Sequence, residues 1–218
     1  MSFLYFLEHL SVAFGAIAGV LAGRGKRVDL FGILVLGMVT ATGGGTLRDL
    51  ILDVPVFWLK DPNFVYTVVV ASCLMFVTAR YRKTPLKLLI FADAAGLAFV
   101  AIVGTSKTLS LGHAGIICIV MGVTSGVAGG IIRDVLCSEF PSIFRIDFYW
   151  YATAAFCGAC CYLTLHLVQG PNPVNLIVSS ALILILRLAA LRYRWRLPEF
   201  RTHEDTHTVS EDKLPPVA

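Results

Sequence analysis

Charge is what this chain has least of: 15% of its 218 residues are Asp, Glu, Lys or Arg, against 57% hydrophobic residues and a mean hydropathy of +0.78. Soluble domains carry roughly 25% charged residues, so there are too few here to coat a surface that faces water. The roughly 10-residue alternating segments of a membrane barrel are also missing, because the apolar runs extend much further. No disulfide framework is written in the six cysteines, which lie in or beside apolar runs where a free thiol behaves as a small hydrophobe. Cys157, Cys160 and Cys161 share one helix face, but no His or carboxylate accompanies them in a metal-ligand set. A nucleophile, metal cluster or catalytic dyad suited to an intramembrane enzyme is lacking too, so the chain reads as a non-enzyme that needs no cofactor. The basic residues behind the net charge of +4 sit between apolar segments, which excludes a nucleic-acid-binding face.

What remains is a helical bundle with the bilayer as its solvent. A hydrocarbon core about 30 Å thick takes roughly 20 helical residues, and seven windows of that size run at about 3–23, 28–53, 63–79, 86–105, 111–137, 149–168 and 174–191. Assigned to alternate sides of these spans, 15 Lys and Arg fall on one side, and only Arg48, Lys60 and Lys107 on the other. The positive-inside rule then puts the N-terminus outside and the C-terminus in the cytoplasm. Beyond the last span, Arg192, Arg194 and Arg196 form a basic stretch suited to anionic membrane lipids, followed by a polar tail predicted to be disordered. His9, His113 and His166 read as polar residues at segment ends.

Self-comparison is the most informative step. A shift of 85 residues places Gly44, Gly45, Arg48 and Asp49 on Gly129, Gly130, Arg133 and Asp134, and Glu8 on Asp93. One further inserted residue aligns Pro55 with Pro141. Each copy holds three spans, so the second enters the membrane from the opposite side. The expected fold is therefore an all-α integral membrane protein: repeat 1 at 1–87, an inverted repeat 2 at 88–170, a seventh helix at 171–195 and a tail at 196–218.

The second span contains Thr42, Gly43, Gly44, Gly45 and Thr46, and the fifth contains Thr124, Ser125, Gly126, Gly129 and Gly130. A helix-interior glycine costs about 1 kcal/mol relative to alanine, so these clusters predict bent or broken helices. Opened backbone flanked by hydroxyls at equivalent places would line a polar path near the midplane, with Asp49 and Asp134 beside it; close packing through small residues is the other reading. Helix rise sets Arg48 about 12 Å from the midpoint of its span, with Arg133 displaced the opposite way. Neighbours in sequence point about 100° apart, which argues against Arg48 pairing with Asp49. The predicted ion pairs are Glu8 with Arg48 and Asp93 with Arg133, of matching depth. The four acidic residues outnumber the two arginines, which favours a cation.

The duplicated Gly-Gly-x-x-Arg-Asp of residues 44–49 and 129–134, each central to a three-helix repeat and followed by a seventh helix, resembles prokaryotic members of the trimeric intracellular cation (TRIC) channel family. The resemblance covers about residues 3–195. It implies a homotrimer in the inner membrane of a prokaryotic cell, with a separate pore in each subunit around bent second and fifth spans, passing K+ and, less selectively, Na+. Animal members carry a Lys-Glu motif where this chain has Gly44 and Gly45, so lipid binding through that lysine does not transfer. Related prokaryotic domains are described as glycine transporters, which keeps open a carrier of a small amino acid such as glycine.

Overall fold

The computed structural model describes residues 3–82, 84–144 and 150–195, and these form helices joined by short links. In chain order the helices are α1 (Phe3–Ala22), α2 (Leu30–Ile51), the single-turn α3 (Phe57–Lys60), α4 (Asn63–Tyr81), α5 (Leu86–Ser110), α6 (Gly115–Leu136), α7 (Tyr151–Gln169) and α8 (Pro173–Tyr193). All except α3 are long and apolar enough to cross a membrane. Local chemistry sets several ends. Asp29 caps α2 by accepting from Gly32 N at 2.8 Å, and Asn172 caps α8 by accepting from Val174 N at 2.9 Å, ahead of Pro173 at the first helical position.

The molecule is a 3 + 3 inverted repeat, α1–α2–α4 followed by α5–α6–α7, with α8 as the seventh span. The repeat holds at the level of single hydrogen bonds. The α2 helix ends with Leu52 N bonded to Arg48 O, Asp53 in the left-handed region (φ 52) and Val54 N bonded to Asp49 O. Moved along by 85 residues, α6 ends with Cys137 N on Arg133 O, Ser138 left-handed (φ 56) and Glu139 N on Asp134 O. Both are Schellman caps built without glycine, at a conformational cost of about 1–2 kcal/mol each. The inserted residue inferred before Pro141 is thus misplaced: the shift stays at 85 at least as far as Phe57 and Ser142, whose backbone N–H groups bond the two repeat-equivalent aspartates.

The helices pack in a connected set, α1 against α2, α4 and α5, α2 against α6, and α5 against α6, α7 and α8. Without a hydrophobic drive in lipid, such contacts rely on close approach of small residues. The centre is accordingly rich in alanine, with Ala16, Ala92, Ala94, Ala98 and Ala101 fully buried, while Leu74, Val77 and Ile185 face outward.

The glycine clusters do not break their helices. Both α2 and α6 run unbroken through them, which corrects the predicted opened backbone. A Cβ on Gly44 would sit 1.9 Å from Ser125 O, and one on Gly129 would sit 2.4 Å from Thr40 O. These are repeat-equivalent contacts across the pseudo-two-fold, so here glycine is required because another backbone occupies the space of its side chain. The hydroxyls remain on their own helices: Thr40, Thr42, Thr46 and Ser125 each donate to the carbonyl four residues back. The carbonyls around the glycines stay engaged, and packing is what these clusters provide.

Candidate functional site

Because Gly44 meets Ser125 while Thr40 meets Gly129, α2 and α6 cross antiparallel. Arg48 and Arg133, each three residues from its helix end, therefore lie at opposite ends of the pair, roughly 18 Å apart in depth by helix rise. Around each is a compact charge cluster.

At the α2 end, Asp49 is fully buried and accepts at Oδ1 from Arg48 Nε (2.8 Å), Arg48 Nη2 (2.7 Å) and Lys107 Nζ (2.8 Å). Its Oδ2 accepts from Phe57 N at 3.0 Å, tying the carboxylate to the start of α3. At the α6 end, Asp134 Oδ1 accepts from Arg133 Nε (2.9 Å) and Nη2 (2.8 Å), and Oδ2 from Ser142 N and Oγ, both at 2.8 Å. Arg133 also gives Nη1 to Asp93 Oδ1 at 2.6 Å. Tyr151 donates to the same oxygen at 3.5 Å, and the buried Arg187 guanidinium lies 4.6 Å from the centre of the Tyr151 ring.

These contacts overturn one sequence inference and divide another. Each arginine does bind the aspartate next to it, because its long side chain folds around the helix to a carboxylate whose other oxygen is anchored eight residues on. Asp93 and Arg133 come together as an ion pair. Glu8 and Arg48 do not: among the described residues no Lys or Arg nitrogen lies within 4.0 Å of the Glu8 carboxylate, and Lys107 supplies the third contact on Asp49 instead.

Three cavities lie along the repeat interface. A vestibule of about 520 Å³ is lined by Asp93, Arg133, Asp134 and Arg187, with Arg24 and Lys26 from the α1–α2 link. Lys26 Nζ bridges that link to Cys137 O at 2.9 Å and Glu139 Oε1 at 2.5 Å; the Glu139 carboxylate holds the Lys26 ammonium above its ordinary pKa. Asp93 is shared with a central cavity of about 30 Å³ lined by Ser11, Gly15, Thr40, Gly44, Ser125 and Gly129. Ser11, Ala41 and Val100 are shared in turn with a cavity of about 10 Å³ lined by Glu8, Gly45, Arg48 and Phe57. A water needs roughly 10–15 Å³ by this measure, so the centre has room for about two waters and the Glu8 end for about one.

Of the residues singled out from the sequence, Gly44, Ser125, Gly126, Gly129 and Gly130 line the central cavity, Gly45 the cavity beside Glu8, and Asp134 the vestibule. Thr42, Gly43, Thr46, Thr124 and Asp49 line none of the three.

A family model described as "Glycine transporter" matches the chain over residues 5–80 and 90–167. The UPF0126 inner membrane protein YadS of Escherichia coli K12 is 41% identical over 205 residues, covering 93% of this chain and 98% of its own. A solved TRIC trimeric intracellular cation channel orthologue from Rhodobacter sphaeroides is 32% identical, covers 88% of this chain and 99% of that one, and superposes with a TM-score of 0.83. The chain belongs to the prokaryotic TRIC family. A second solved structure, of TRIC cation channels, is 35% identical over 91% of this chain and 97% of that one, with a TM-score of 0.81.

Several residues of this TRIC-family chain escaped the sequence reading. Arg187 and Lys107 were counted as flanking charges, yet Arg187 is buried at 1% exposure and Lys107 bonds a buried carboxylate. Arg187 interrupts an otherwise apolar run from Ala181 to Ala190, which was the available signal. Tyr151, Ser142 and Ser11 carried no signal, since single hydroxyls near apolar spans are common. Arg192 and Arg194 are exposed at the end of α8, near Tyr193 and Trp195, whereas Arg196 and the tail lie outside the described residues.

Proposed function

We propose that the protein is a cation channel, passing K+ and less selectively Na+, with one pathway in each subunit of a homotrimer. The observation that carries this reading is the line of cavities along the repeat interface, from the Arg133 vestibule through the Ser11–Ser125 centre to Glu8. The central cavity, with room for about two waters, suits a monovalent ion better than glycine, which has five heavy atoms. The TRIC orthologues of matching fold, described as trimeric intracellular cation channels, support the same reading. The residues assigned to the path are those lining the cavities, with Glu8 and Arg48 at one end and Asp93, Arg133 and Asp134 at the other.

The end holding most of the basic residues faces the cytoplasm, with the N-terminus outside and the membrane the inner membrane of a prokaryotic cell. Arg192, Arg194 and Arg196 meet anionic lipid there. The functional units are residues 1–87, 88–170 and 171–195, with 196–218 as a cytoplasmic extension. Transport, not catalysis, is the activity, and no cofactor or nucleic acid takes part.

The second reading, a carrier of a small amino acid, draws on the glycine-transporter description of the matching family. Purified protein in a planar bilayer under a KCl gradient separates the two. Unitary currents reversing near the K+ equilibrium potential support the channel. Electrical silence, together with saturable counterflow of labelled glycine in liposomes, supports the carrier.

A further inference from the structure

The carboxylates along the interface are not equivalent in their company. Asp49, Asp93 and Asp134 each lie within 3 Å of a guanidinium nitrogen. Glu8, half-buried on α1, lines the cavity at its end beside Arg48, with Arg48, Asp49 and Lys107 all within electrostatic reach. His9, its neighbour in sequence, is turned to Tyr5 and Phe64: Nδ1 lies 3.1 Å from Tyr5 O, and the ring stacks at 4.1 Å on Phe64. Counting charges at this mouth, Arg48 and Lys107 bring two positive and Asp49 one negative. One positive charge is left over, beside a cavity with room for about one water. A positive residue balance in a narrow, poorly hydrated passage repels cations.

We propose that Glu8 is the specificity-determining residue of this mouth: ionised, it cancels the one positive charge that Arg48, Lys107 and Asp49 leave over, and so admits monovalent cations. The other end is arranged differently: Arg133 contacts both Asp93 and Asp134 directly, and the remaining charges, Arg24, Lys26, Arg187 and Glu139, line a vestibule of about 520 Å³ with room for water to screen them. Glu8 does its work through space and so does not need an ion pair. Lys107, on α5, acts in the opposite sense, because its ammonium is the charge that Glu8 offsets.

This inference rests on the channel reading, and the test separates the two. Reversal potentials are measured in planar bilayers under a KCl gradient for the full-length protein, Glu8→Gln, Lys107→Met and the double variant. Glu8→Gln is expected to lower the K+ over Cl− permeability ratio roughly fivefold, the scale of one unit charge acting through a partly wet path. Lys107→Met is expected to raise the ratio, and the double variant, neutral again, to return it towards that of the unmutated protein. A purely structural role for Glu8 would lower stability or open probability without this opposed and compensating pattern. If Glu8→Gln fails to assemble, Lys107→Met alone decides: a higher ratio supports the proposal and an unchanged or lower one overturns it. An unchanged ratio in assembled Glu8→Gln also overturns it. K+ current that is absent from the unmutated protein would overturn the channel reading itself.

Discussion

At the α6 end of the central helix pair Arg133 reaches both Asp134 and Asp93, whereas at the α2 end Arg48 reaches Asp49 alone and Lys107 makes the further contact. The backbone frames are alike to the hydrogen bond, with the same left-handed cap residue and the same anchoring of the aspartate to the amide eight residues on. Duplication has thus preserved the scaffold that holds each carboxylate while the cations around it diverged. The seventh helix widens the difference, because α8 packs on α5 and α7 and delivers Arg187 to one end only. One end is a vestibule of about 520 Å³ and the other a cavity of about 10 Å³.

The contrast is broken most severely by removing the carboxylates that occupy equivalent places. Asp93→Ala strips the buried Arg133 of a 2.6 Å partner and is expected to cost about 3 kcal/mol, since a lone buried charge is left under-compensated. Glu8→Ala breaks no ion pair and is expected to cost less than about 1 kcal/mol. Thermal unfolding of both variants in detergent checks this, and equal losses would erase the distinction between the ends.

The crossing point is symmetric where the ends are not. Gly44→Ala and Gly129→Ala each drive a methyl into a carbonyl of the facing helix and are expected to destabilise by about 1–3 kcal/mol. Gly43→Ala meets the flexible end of the Ile132 side chain at 3.1 Å and Gly129 Cα at an ordinary 3.7 Å, and alanine is the better helix former by about 1 kcal/mol, so it is expected to be neutral or stabilising. A Gly43 variant as damaged as the Gly44 one would contradict the packing described.

The smallest effect concerns the link before α4. The Tyr5 hydroxyl donates to Asp61 Oδ2 at 2.7 Å, and together with Asn63 N–H it holds the Asp61 carboxyl below the usual carboxylate range. A lowered folded pKa contributes stability above the carboxylate's unfolded pKa, about 3.9, and loses it as pH falls through the folded value. Tyr5→Phe is therefore expected to lower the unfolding temperature slightly at neutral pH, with the gap from the unmutated protein closing in acid. A gap that is constant with pH would place the effect in packing of the ring.

Much of the fold was legible because hydropathy and duplication both act over long stretches. Seven apolar windows and a shift of 85 residues were enough for the topology, and the 26-residue window at 28–53 erred only at its ends, where Asp29 caps the helix. The site was legible in its residues but not in its bonds. Arg48 and Asp49 diverge on a helical wheel, and only the turn back to Phe57 shows why their side chains meet. The glycines misled because the same composition serves a broken helix and a close crossing, and only the facing carbonyls of Ser125 and Thr40 decide between them. Arg187 was hidden by a counting rule that treats any arginine near a span end as a flank.

Ser11 lines both the central space and the space beside Glu8, so unitary K+ conductance of Ser11→Leu is the most direct measurement of the proposed path. Three carbons in place of the hydroxyl oxygen, a net gain of two heavy atoms, would fill roughly the volume of one water there. The assembled variant is predicted to conduct at less than roughly a tenth of the unmutated level, as a blocked single-file junction requires. Full conductance from an assembled Ser11→Leu protein would contradict a path along the repeat interface.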